Sequence, residues 1–384
     1  MLKEITDLRR KLHMNPELSG DETETAALIK NFVKTNHSTQ IIEGLGGNGL
    51  AVVYTFSEDG PSVMIRCELD ALPIEEINTF EYRSLKPGVS HKCGHDGHMA
   101  IVAGLIFKIK EQHYKRGKII LLFQPAEETG KGAYDVLNDP KFKNLDPDYI
   151  FALHNIPGVP LNSIINIKGP FSSTVQSLAI YFTGKQSHAS EPENGINPAS
   201  AIAELVQRFK DLNEPNITND HFALLTPVYM NLGTKDYGIS AGKGELHFTL
   251  RTKTENVMEQ LKTSILNLMK QVCEEHQLQY KTDWFDYFPA TVNNEECYNM
   301  ILRAAATNKY ELLQRESPFR FGEDFGWFSK NSKAAMFGLG AGMNSPALHH
   351  EDYDFPEELL ETGINMFSNI ILQALTNNEN DKLA

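Results

Sequence analysis

The segment HKCGHDGH, residues 91–98, places three histidines, one cysteine and one aspartate within eight positions. The whole chain has only four cysteines and 13 histidines, so the two residue types are concentrated here. Histidine and cysteine side chains bind borderline divalent ions such as zinc, manganese, cobalt and nickel. The residue types and their spacing therefore predict that this segment supplies ligands to a metal site.

Four other segments carry side chains of matching chemistry, each next to an apolar stretch that predicts a strand or a buried loop. The stretches are SVMIRCEL, KIILLFQPA, YIFAL and AAMFGLG. The side chains that follow them are Asp70, then Glu127 and Glu128, then His154, and finally His349 or His350. Because ligands of open α/β sheets bind at the carboxyl ends of the strands, we expect these side chains to meet at one edge.

The mixture of ligand types predicts a catalytic site rather than a structural one. A structural zinc site usually closes four Cys and His ligands at short paired spacings. The present set lacks CxxC pairs and includes carboxylates, which is typical of an open site with two metals. Glu127 and Glu128 are neighbours in an extended segment and point in different directions. One carboxylate can therefore bind a metal while the other accepts a proton from water that the metal acidifies.

Several nearby polar residues have simpler interpretations. Asp96 precedes an apolar helical pattern and is predicted to be the N-cap of that helix. His98 is balanced between supporting a metal ligand and ordinary packing, and His91 is interpreted as a polar loop residue. Cys93 also allows a redox thiol, but the sequence offers no resolving cysteine nearby.

The segments between these residues predict the fold class. Short β-branched stretches alternate with helical patterns in the first half, which is typical of an α/β domain with a mostly parallel, twisted sheet. Two strand–helix pairs then predict a small α+β unit on a four-stranded sheet. We therefore predict a catalytic domain at residues 1–174 and 291–384, with an inserted α+β domain at residues 175–290.

Composition limits the class of protein. A chain of 384 residues exceeds one ordinary core, so two domains are expected. The formal net charge of −14 argues against nucleic-acid and anionic-membrane partners, which need clustered Lys and Arg. The sequence shows neither a signal peptide nor a membrane span, and its scattered cysteines indicate a cytoplasmic protein with reduced thiols. The polar C-terminal stretch TNNENDKLA is typical of a frayed tail.

The order of the motifs resembles that of the aminoacylase/carboxypeptidase family of di-metal peptidases. The motifs are RRKLHMNPELSGDE, RCELDALPIEE, HKCGHDGHMA, FQPAEETGKGA, FALHN, GKQSHASEPENGINPA, GEDFGWF and LHHEDYDF. They are most similar to the amidohydrolase branch, which includes hippurate hydrolase, indole-3-acetic-acid–amino acid hydrolases and N-acetyldiaminopimelate deacetylase. The resemblance covers nearly the whole chain and implies that the inserted domain is a lid that also forms a homodimer.

The resemblance also implies a role for individual residues. Two divalent ions are expected, manganese or zinc before cobalt or nickel, and the implied ligands are Cys93, His95, Glu128, His154 and His349. Cys93 stands where other branches have a bridging aspartate. Glu127 resembles the general base, and Asp70 resembles the acid that orients a ligand from behind. His188 resembles the histidine that polarises the scissile carbonyl, which in some relatives comes from the partner subunit.

Three positions depart from the family pattern. The lid segment Asn-Val-Ile-Pro is replaced by YGISAG, with Gly238 where the asparagine would stand. The usual Arg-Ala-Asp-Met-Asp reads RCELD, with Cys67 and Glu68, and Lys92 replaces a small residue before Cys93. None of these changes removes an implied ligand or the base, but the lid change bears on substrate recognition.

These inferences predict a metal-dependent amidohydrolase that removes an N-acyl group from an amino acid or a related small amide. Arg251, in HFTLRT of the inserted domain, is a candidate for binding the substrate carboxylate, and His188 for contacting its carbonyl. The alternatives are a dipeptidase or carboxypeptidase with the same site, and a catalytically silent ligand-binding relative. Glu127 argues against silence, because a binding module needs no unligated carboxylate beside the metals.

Overall fold

The computed structural model of the protein describes residues 1–36 and 40–376. The helices of this part are α1 (Leu2–Met14), α2 (Thr23–Asn36), α3 (His95–Glu111), α4 (Gly132–Asn138), α5 (Pro140–Lys143), α6 (Ala199–Lys210), α7 (Glu255–Glu275), α8 (Glu295–Asn308), α9 (Gly326–Ser329) and α10 (Leu359–Thr376). The strands are β1 (Gln40–Leu45), β2 (Gly49–Thr55), β3 (Glu58–Glu68), β4 (Arg116–Gln124), β5 (Tyr149–Ile156), β6 (Ile164–Ile167), β7 (Gly169–Pro170), β8 (Thr174–Thr183), β9 (Ser187–His188), β10 (Ala223–Leu232), β11 (Ile239–Ser240), β12 (Lys243–Thr252), β13 (Gln279–Phe288), β14 (Val292–Asn293), β15 (Leu312–Arg315) and β16 (Lys333–Gly340). Of the predicted frayed tail, residues 377–384 lie outside the described part.

The described chain forms two compact units. The first consists of Met1–Phe171, Thr291–Glu316 and the described residues from Asp324 onward. The second consists of Ser172–Ala290 and the short return segment Ser317–Glu323. The inserted domain at residues 175–290, with these boundaries and as a separately folding domain, stays a prediction. Among the described helices, none has the combined length and apolar character that crossing a membrane requires.

The first unit is built on an eight-stranded sheet in the order β1-β2-β4-β3-β5-β16-β6-β15. Its four central strands, β4, β3, β5 and β16, are parallel to one another, whereas β2 pairs antiparallel with β4 and β6 pairs antiparallel with β16. The central strands are nearly continuous apolar runs, as expected of strands covered on both faces. The prediction of an α/β fold with a mostly parallel sheet is confirmed.

Helix α3 connects the candidate metal segment to this core. It contacts α1, α10 and β3, so it is enclosed on nearly all sides. Ile101, Leu105, Ile106 and Ile109, the apolar face expected from the sequence, are all buried. Residues on its other faces are buried as well, which is typical of a helix without a solvated side.

The second unit is a small α+β structure. Its four-stranded antiparallel sheet has the order β10-β12-β8-β13, and α6 and α7 contact each other and strands β10 and β12. Along β12, buried residues alternate with partly exposed ones, so one face of the strand lies in the core. A two-stranded ribbon of β9 and β11 carries His188, which pairs with Ile239. The predicted α+β class with a four-stranded sheet is confirmed.

Candidate metal centre and active site

The predicted site residues of the first unit gather at the carboxyl ends of its central strands. Strands β4, β3, β5 and β16 lie side by side in that order. The side chains at or beyond their ends are Glu127 and Glu128 after β4, Asp70 after β3, His154 within β5 and His349 in the loop after β16. Parallel pairing places these ends at one edge of the sheet, which is why segments distant in sequence meet there.

The turn between Cys93 and His95 depends on the glycine between them. Gly94 has a φ of 96°, in the left-handed region, and α3 begins directly after it at His95. A Cβ atom at this position would lie 2.7 Å from side-chain atoms of Asn155. Only glycine therefore allows the segment to enter the helix here, with Cys93 and His95 both buried.

The ring of His95 is oriented by Asp70. Its Nδ1 lies 2.9 Å from the Asp70 carbonyl oxygen and 3.5 Å from the Asp70 carboxylate. Nδ1 must donate to that carbonyl, so the neutral ring carries its lone pair on Nε2. The buried Nε2 has no hydrogen-bond partner among the described residues and lies 4.0 Å from carboxylate oxygens of Glu127 and Glu128. The ring therefore presents a ligand atom to the carboxylates.

His154 presents its Nε2 atom in the same way. Its Nδ1 lies 2.9 Å from the carbonyl oxygen of Asn155, which requires the proton on Nδ1. Its Nε2 lies 3.5 Å from the Cys93 sulfur. Burial and the nearby charge of His98 lower the pKa of His154 to about 3, so the ring is neutral and able to bind a metal.

The two glutamates do not lie in an extended segment, as the sequence predicted, because β4 ends at Gln124. They belong to one short 3₁₀ turn, Glu127–Thr129, after a residue with positive φ, Ala126. The Glu128 amide donates to an Asp70 carboxylate oxygen at 2.9 Å. A carboxylate oxygen of Glu127 accepts from the amide of Asp324 at 3.3 Å. The two carboxylates are thus held by different elements, and both reach His95 from the β4 side.

His349 approaches the carboxylate of Glu128 from the loop after β16. Its Nε2 lies 3.7 Å from Oε1 of Glu128, although half of its side chain is exposed. Its φ of 66° is uncommon for a residue with a side chain. His349, and not His350, shares a cluster of potential ligand atoms with Cys93 and Glu128. The structure therefore favours His349 of the two adjacent histidines.

The donor atoms fit two neighbouring divalent ions. One set joins Cys93 to His95 and His154, another joins Cys93 to Glu128 and His349, and atoms within each set lie within 4.8 Å of one another. Cys93 belongs to both sets, so its sulfur can be shared. Thiolate, imidazole and carboxylate ligands together suit a transition-metal ion better than an ion that prefers only oxygen.

Electrostatics at the site favours a bound cation. Burial, with the carboxylates of Glu128 and Glu127, raises the pKa of the Cys93 thiol well above its usual range. A thiolate ligand therefore needs a compensating positive charge beside it. Burial lowers the pKa of His95, but its hydrogen bond to Asp70 and the surrounding carboxylates outweigh this effect and raise it to about 10. The negative field around this ring attracts a cation, whether a proton or a metal ion.

One sequence interpretation of the neighbouring residues is wrong. Asp96 is not the N-cap of α3, because Gly94 precedes the helix and Asp96 lies fully buried inside its first turn. His91 lies in a loop, as expected, but it is buried there, and burial lowers its pKa to about 3. The segment is thus covered by parts of the chain far away in sequence.

His98 belongs to a polar network behind the ligands. Its two ring nitrogens lie 2.7 Å from Oε2 of Glu68 and 2.5 Å from the side-chain oxygen of Asn155. Glu68 in turn forms a buried ion pair with Arg66. His98 is therefore hydrogen-bonded on both ring nitrogens, and one of its partners, Asn155, directly follows His154.

Another ionic cluster behind the site was not predicted. Nε of Arg9 and Nδ1 of His13 each lie 2.8 Å from Oδ2 of Asp96, and Nε2 of His13 lies 3.0 Å from Glu76. Arg9 and His13 are spaced four residues apart on the buried face of α1. The sequence does carry a signal for this cluster: two basic residues at that spacing lie on an apolar helical face. A buried charge requires a partner, so such residues indicate a buried ionic cluster.

The predicted residues of the second unit have local partners of their own. His188 lies on the exposed β9, where its Nδ1 accepts from the amide of Ser190 at 3.1 Å. This hydrogen bond requires the proton of the neutral ring on Nε2, which is then a donor. Arg251, in β12, donates from Nη1 to the carbonyl oxygen of Arg320 at 2.8 Å. Burial lowers the pKa of Arg251 from its ordinary value.

The chain is similar over its whole length to known proteins. An N-acetyl-L-cysteine deacetylase of Bacillus subtilis is 29% identical over 100% of this chain and 91% of its own length. A hippurate hydrolase of Campylobacter jejuni is 27% identical, with 97% of each chain covered. The crystal structure of the Bacillus subtilis YXEP protein, described as a dinuclear metal-binding peptidase, is 25% identical with a TM-score of 0.82, covering 97% of this chain and 98% of that one.

The family model gives the same result as the motifs. The model of peptidase family M20/M25/M40 matches residues 64–373, which include every predicted metal ligand and also His188 and Arg251. The resemblance inferred from the sequence is thereby confirmed: this chain belongs to peptidase family M20/M25/M40.

Proposed function

We propose that the protein is a metal-dependent amidohydrolase that removes the acyl group from an N-acyl amino acid or a related small amide. The observation that carries the proposal is the shared position of Cys93 in two sets of ligand atoms, with Glu127 beside them. The ligands of the two ions are Cys93, His95, Glu128, His154 and His349. When bound, the ions would polarise the amide carbonyl and lower the pKa of the attacking water.

Glu127 is the general base of this proposal. One of its oxygens accepts from the amide of Asp324 at 3.3 Å, and Oε2 lies 4.0 Å from Nε2 of His95. The carboxylate is therefore fixed at the edge of the ligand set. There it can take a proton from water and then deliver it to the leaving amine nitrogen.

Asp70 acts behind the ligands. Its carbonyl oxygen fixes the proton of His95 on Nδ1, and its carboxylate accepts from the amide of Glu128 and the hydroxyl of Ser19. Burial raises its pKa, but these hydrogen bonds and the charge of His95 lower it, so Asp70 stays ionised. One aspartate thus orients two ligands, His95 at the start of α3 and Glu128 in the turn after β4.

His188 supplies the donor to the scissile carbonyl, from the same chain or from the partner in a homodimer. Ser190 holds Nδ1 as an acceptor, so the neutral ring offers an Nε2 proton suited to a developing oxyanion. A homodimer is supported by the edge strand β10, where Val228, Tyr229 and Met230 are each at least half exposed. We assign Arg251 to the substrate carboxylate, because its partly buried guanidinium is a cation whose geometry suits a carboxylate.

The identity of the metal and the location of the protein are also part of the proposal. One thiolate, three imidazoles and a carboxylate favour manganese or zinc, with cobalt and nickel as substitutes. All four cysteines of the chain are buried and free of disulfides. This supports the predicted cytoplasmic location, where thiols stay reduced.

The test is a hydrolysis screen of the purified protein reconstituted with Mn²⁺ or Zn²⁺, over N-acetyl-L-cysteine, hippurate and simple dipeptides. We expect the N-acyl amino acids to be hydrolysed faster than the dipeptides. Chelation should abolish turnover, and Mn²⁺ or Zn²⁺ should restore it, whereas Ca²⁺ should not because it prefers an all-oxygen shell. Preference for dipeptides would favour the peptidase alternative, and full activity of the metal-stripped protein would exclude the proposed chemistry.

A further inference from the structure

Lys92, directly before Cys93, is completely buried. Its ammonium lies 2.6 Å from Oε1 of Glu76 and donates to the carbonyl oxygen of Tyr353 at 2.8 Å. A lysine is rarely enclosed unless its charge is paired, and the Glu76 carboxylate supplies that pair here. A buried lysine does not contribute to the solubility of the surface, so its position directly before a candidate metal ligand indicates another role.

Lys92 holds the loop that carries His349 at two points. Its backbone carbonyl oxygen accepts from the amide of His349 at 2.9 Å, and its ammonium binds the carbonyl of Tyr353 four residues later. His349 has a positive φ, which is a strained conformation for a residue with a Cβ. Contacts around the loop must maintain that conformation, and its half-exposed side chain cannot do so by burial.

Glu76, the carboxylate that pairs with Lys92, is itself bound to residues on the α3 side of the site. Glu76 also accepts from the amide of Ser84 at 2.6 Å and lies 3.0 Å from Nε2 of His13. The other nitrogen of His13 lies 2.8 Å from Asp96, in the first turn of the helix that begins with His95. Glu76 is thus fixed to the α3 side, and it provides a rigid anchor for the ammonium.

We propose that Lys92 is a positioning residue that clamps the His349 loop against the Cys93 segment and thereby sets the affinity of the ion bound through His349. The proposal rests on the metal centre of the proposed function. It assigns the buried ammonium to the geometry of one ion, because Lys92 contacts the loop of His349 at two points. Loss of a supporting group behind a metal ligand typically weakens metal binding by about 10- to 100-fold.

The test compares Mn²⁺ binding by the metal-free wild type, Lys92→Met and His349→Ala, measured by calorimetric titration and by the spin-coupled EPR signal of paired Mn²⁺. We expect two ions per wild-type chain. In Lys92→Met the ion bound through His349, identified as the one that His349→Ala fails to bind, should lose about 10- to 100-fold in affinity. The paired signal should decrease, and the other ion should bind as before. His349→Ala marks the full loss of that ion.

Lys118→Met is the matched control, since the Lys118 ammonium also donates to a backbone carbonyl, that of Leu145, at 3.2 Å, away from the site. If Lys92→Met does not fold, the double variant Lys92→Met/Glu76→Gln removes the unpaired carboxylate as well and repeats the measurement. Two unweakened ions in the Lys92 variant, or equal weakening of both, would overturn the clamp alone. A wild type that binds fewer than two ions would overturn the metal centre and the clamp with it.

Discussion

Replacing Glu127 and Glu128 separately by glutamine should distinguish the proposed general base, Glu127, from the proposed metal ligand, Glu128. In Glu127→Gln the amide oxygen can still accept from the amide of Asp324, which lies 3.3 Å from the native carboxylate. The side chain therefore keeps its place and loses only the ability to take a proton. Metal content should stay near that of the wild type.

The size of the rate loss follows from that geometry. Since position is kept, the loss is that of general base catalysis, about 10²- to 10⁴-fold in turnover number. At 1.36 kcal/mol for each factor of ten, this raises the activation barrier by about 3 to 5 kcal/mol. In Glu128→Gln, by contrast, a charged ligand 3.7 Å from His349 is neutralised. Metal affinity should fall by at least about 10- to 100-fold, the effect of losing even an indirect supporting group.

The assay pairs steady-state turnover with the metal content of each variant after dialysis at a buffered free-metal concentration. Titrating metal back should rescue part of the Glu128→Gln activity and none of the Glu127→Gln loss. A Glu127→Gln protein that loses metal, beside a Glu128→Gln protein that retains it without turnover, would show that the base and the ligand have been exchanged. Ordinary turnover of Glu127→Gln would refute its role as the base.

Two further predictions concern the inserted unit and the core. His188→Ala should lower turnover strongly at unchanged metal content. Heterodimers of His188→Ala and Glu127→Gln chains should regain one working site only if His188 acts across the interface. Ordinary turnover of His188→Ala would contradict its role. Gly97→Ala should reduce the free energy of unfolding by about 1 to 3 kcal/mol despite the higher helix propensity of alanine. The added Cβ would lie 2.4 Å from the Phe355 ring, whereas Gly104→Ala in the same helix meets chain ends such as Ile364 Cδ1 and should cost less in chemical denaturation.

Much of the fold and part of the site could be read from local patterns. Buried parallel strands are near-continuous apolar runs, so β4 and β5 were recognisable together with the polar residues that follow them. The rule for ligands at strand ends then predicted that Glu127, Glu128 and His154 would meet. The structure places Glu127 and Glu128 in one group of potential ligand atoms with His95, and His154 in a second group that also contains His95.

The errors occurred where a residue's surroundings come from distant segments. Aspartate is a common N-cap residue, but Asp96 is instead ion-paired with Arg9, 87 positions earlier in the chain. The choice between His349 and His350 was open for a related reason. Neighbours in a loop have no periodicity to separate them, and only folding places His349, and not His350, in a group of potential ligand atoms with Cys93 and Glu128.

The sequence by itself determined the family, the fold class and the set of side chains able to bind metal, because residue type and apolar periodicity are local properties of the chain. Only the tertiary structure decided how these side chains are used. It fixes the ring protons of His95 and His154 through backbone carbonyls, and it gives Cys93 to two ligand sets. It also buries Lys92 between Glu76 and the loop of His349. Hydrogen-bond direction and charge burial depend on atoms brought together by folding, and the order of residues along the chain does not specify them.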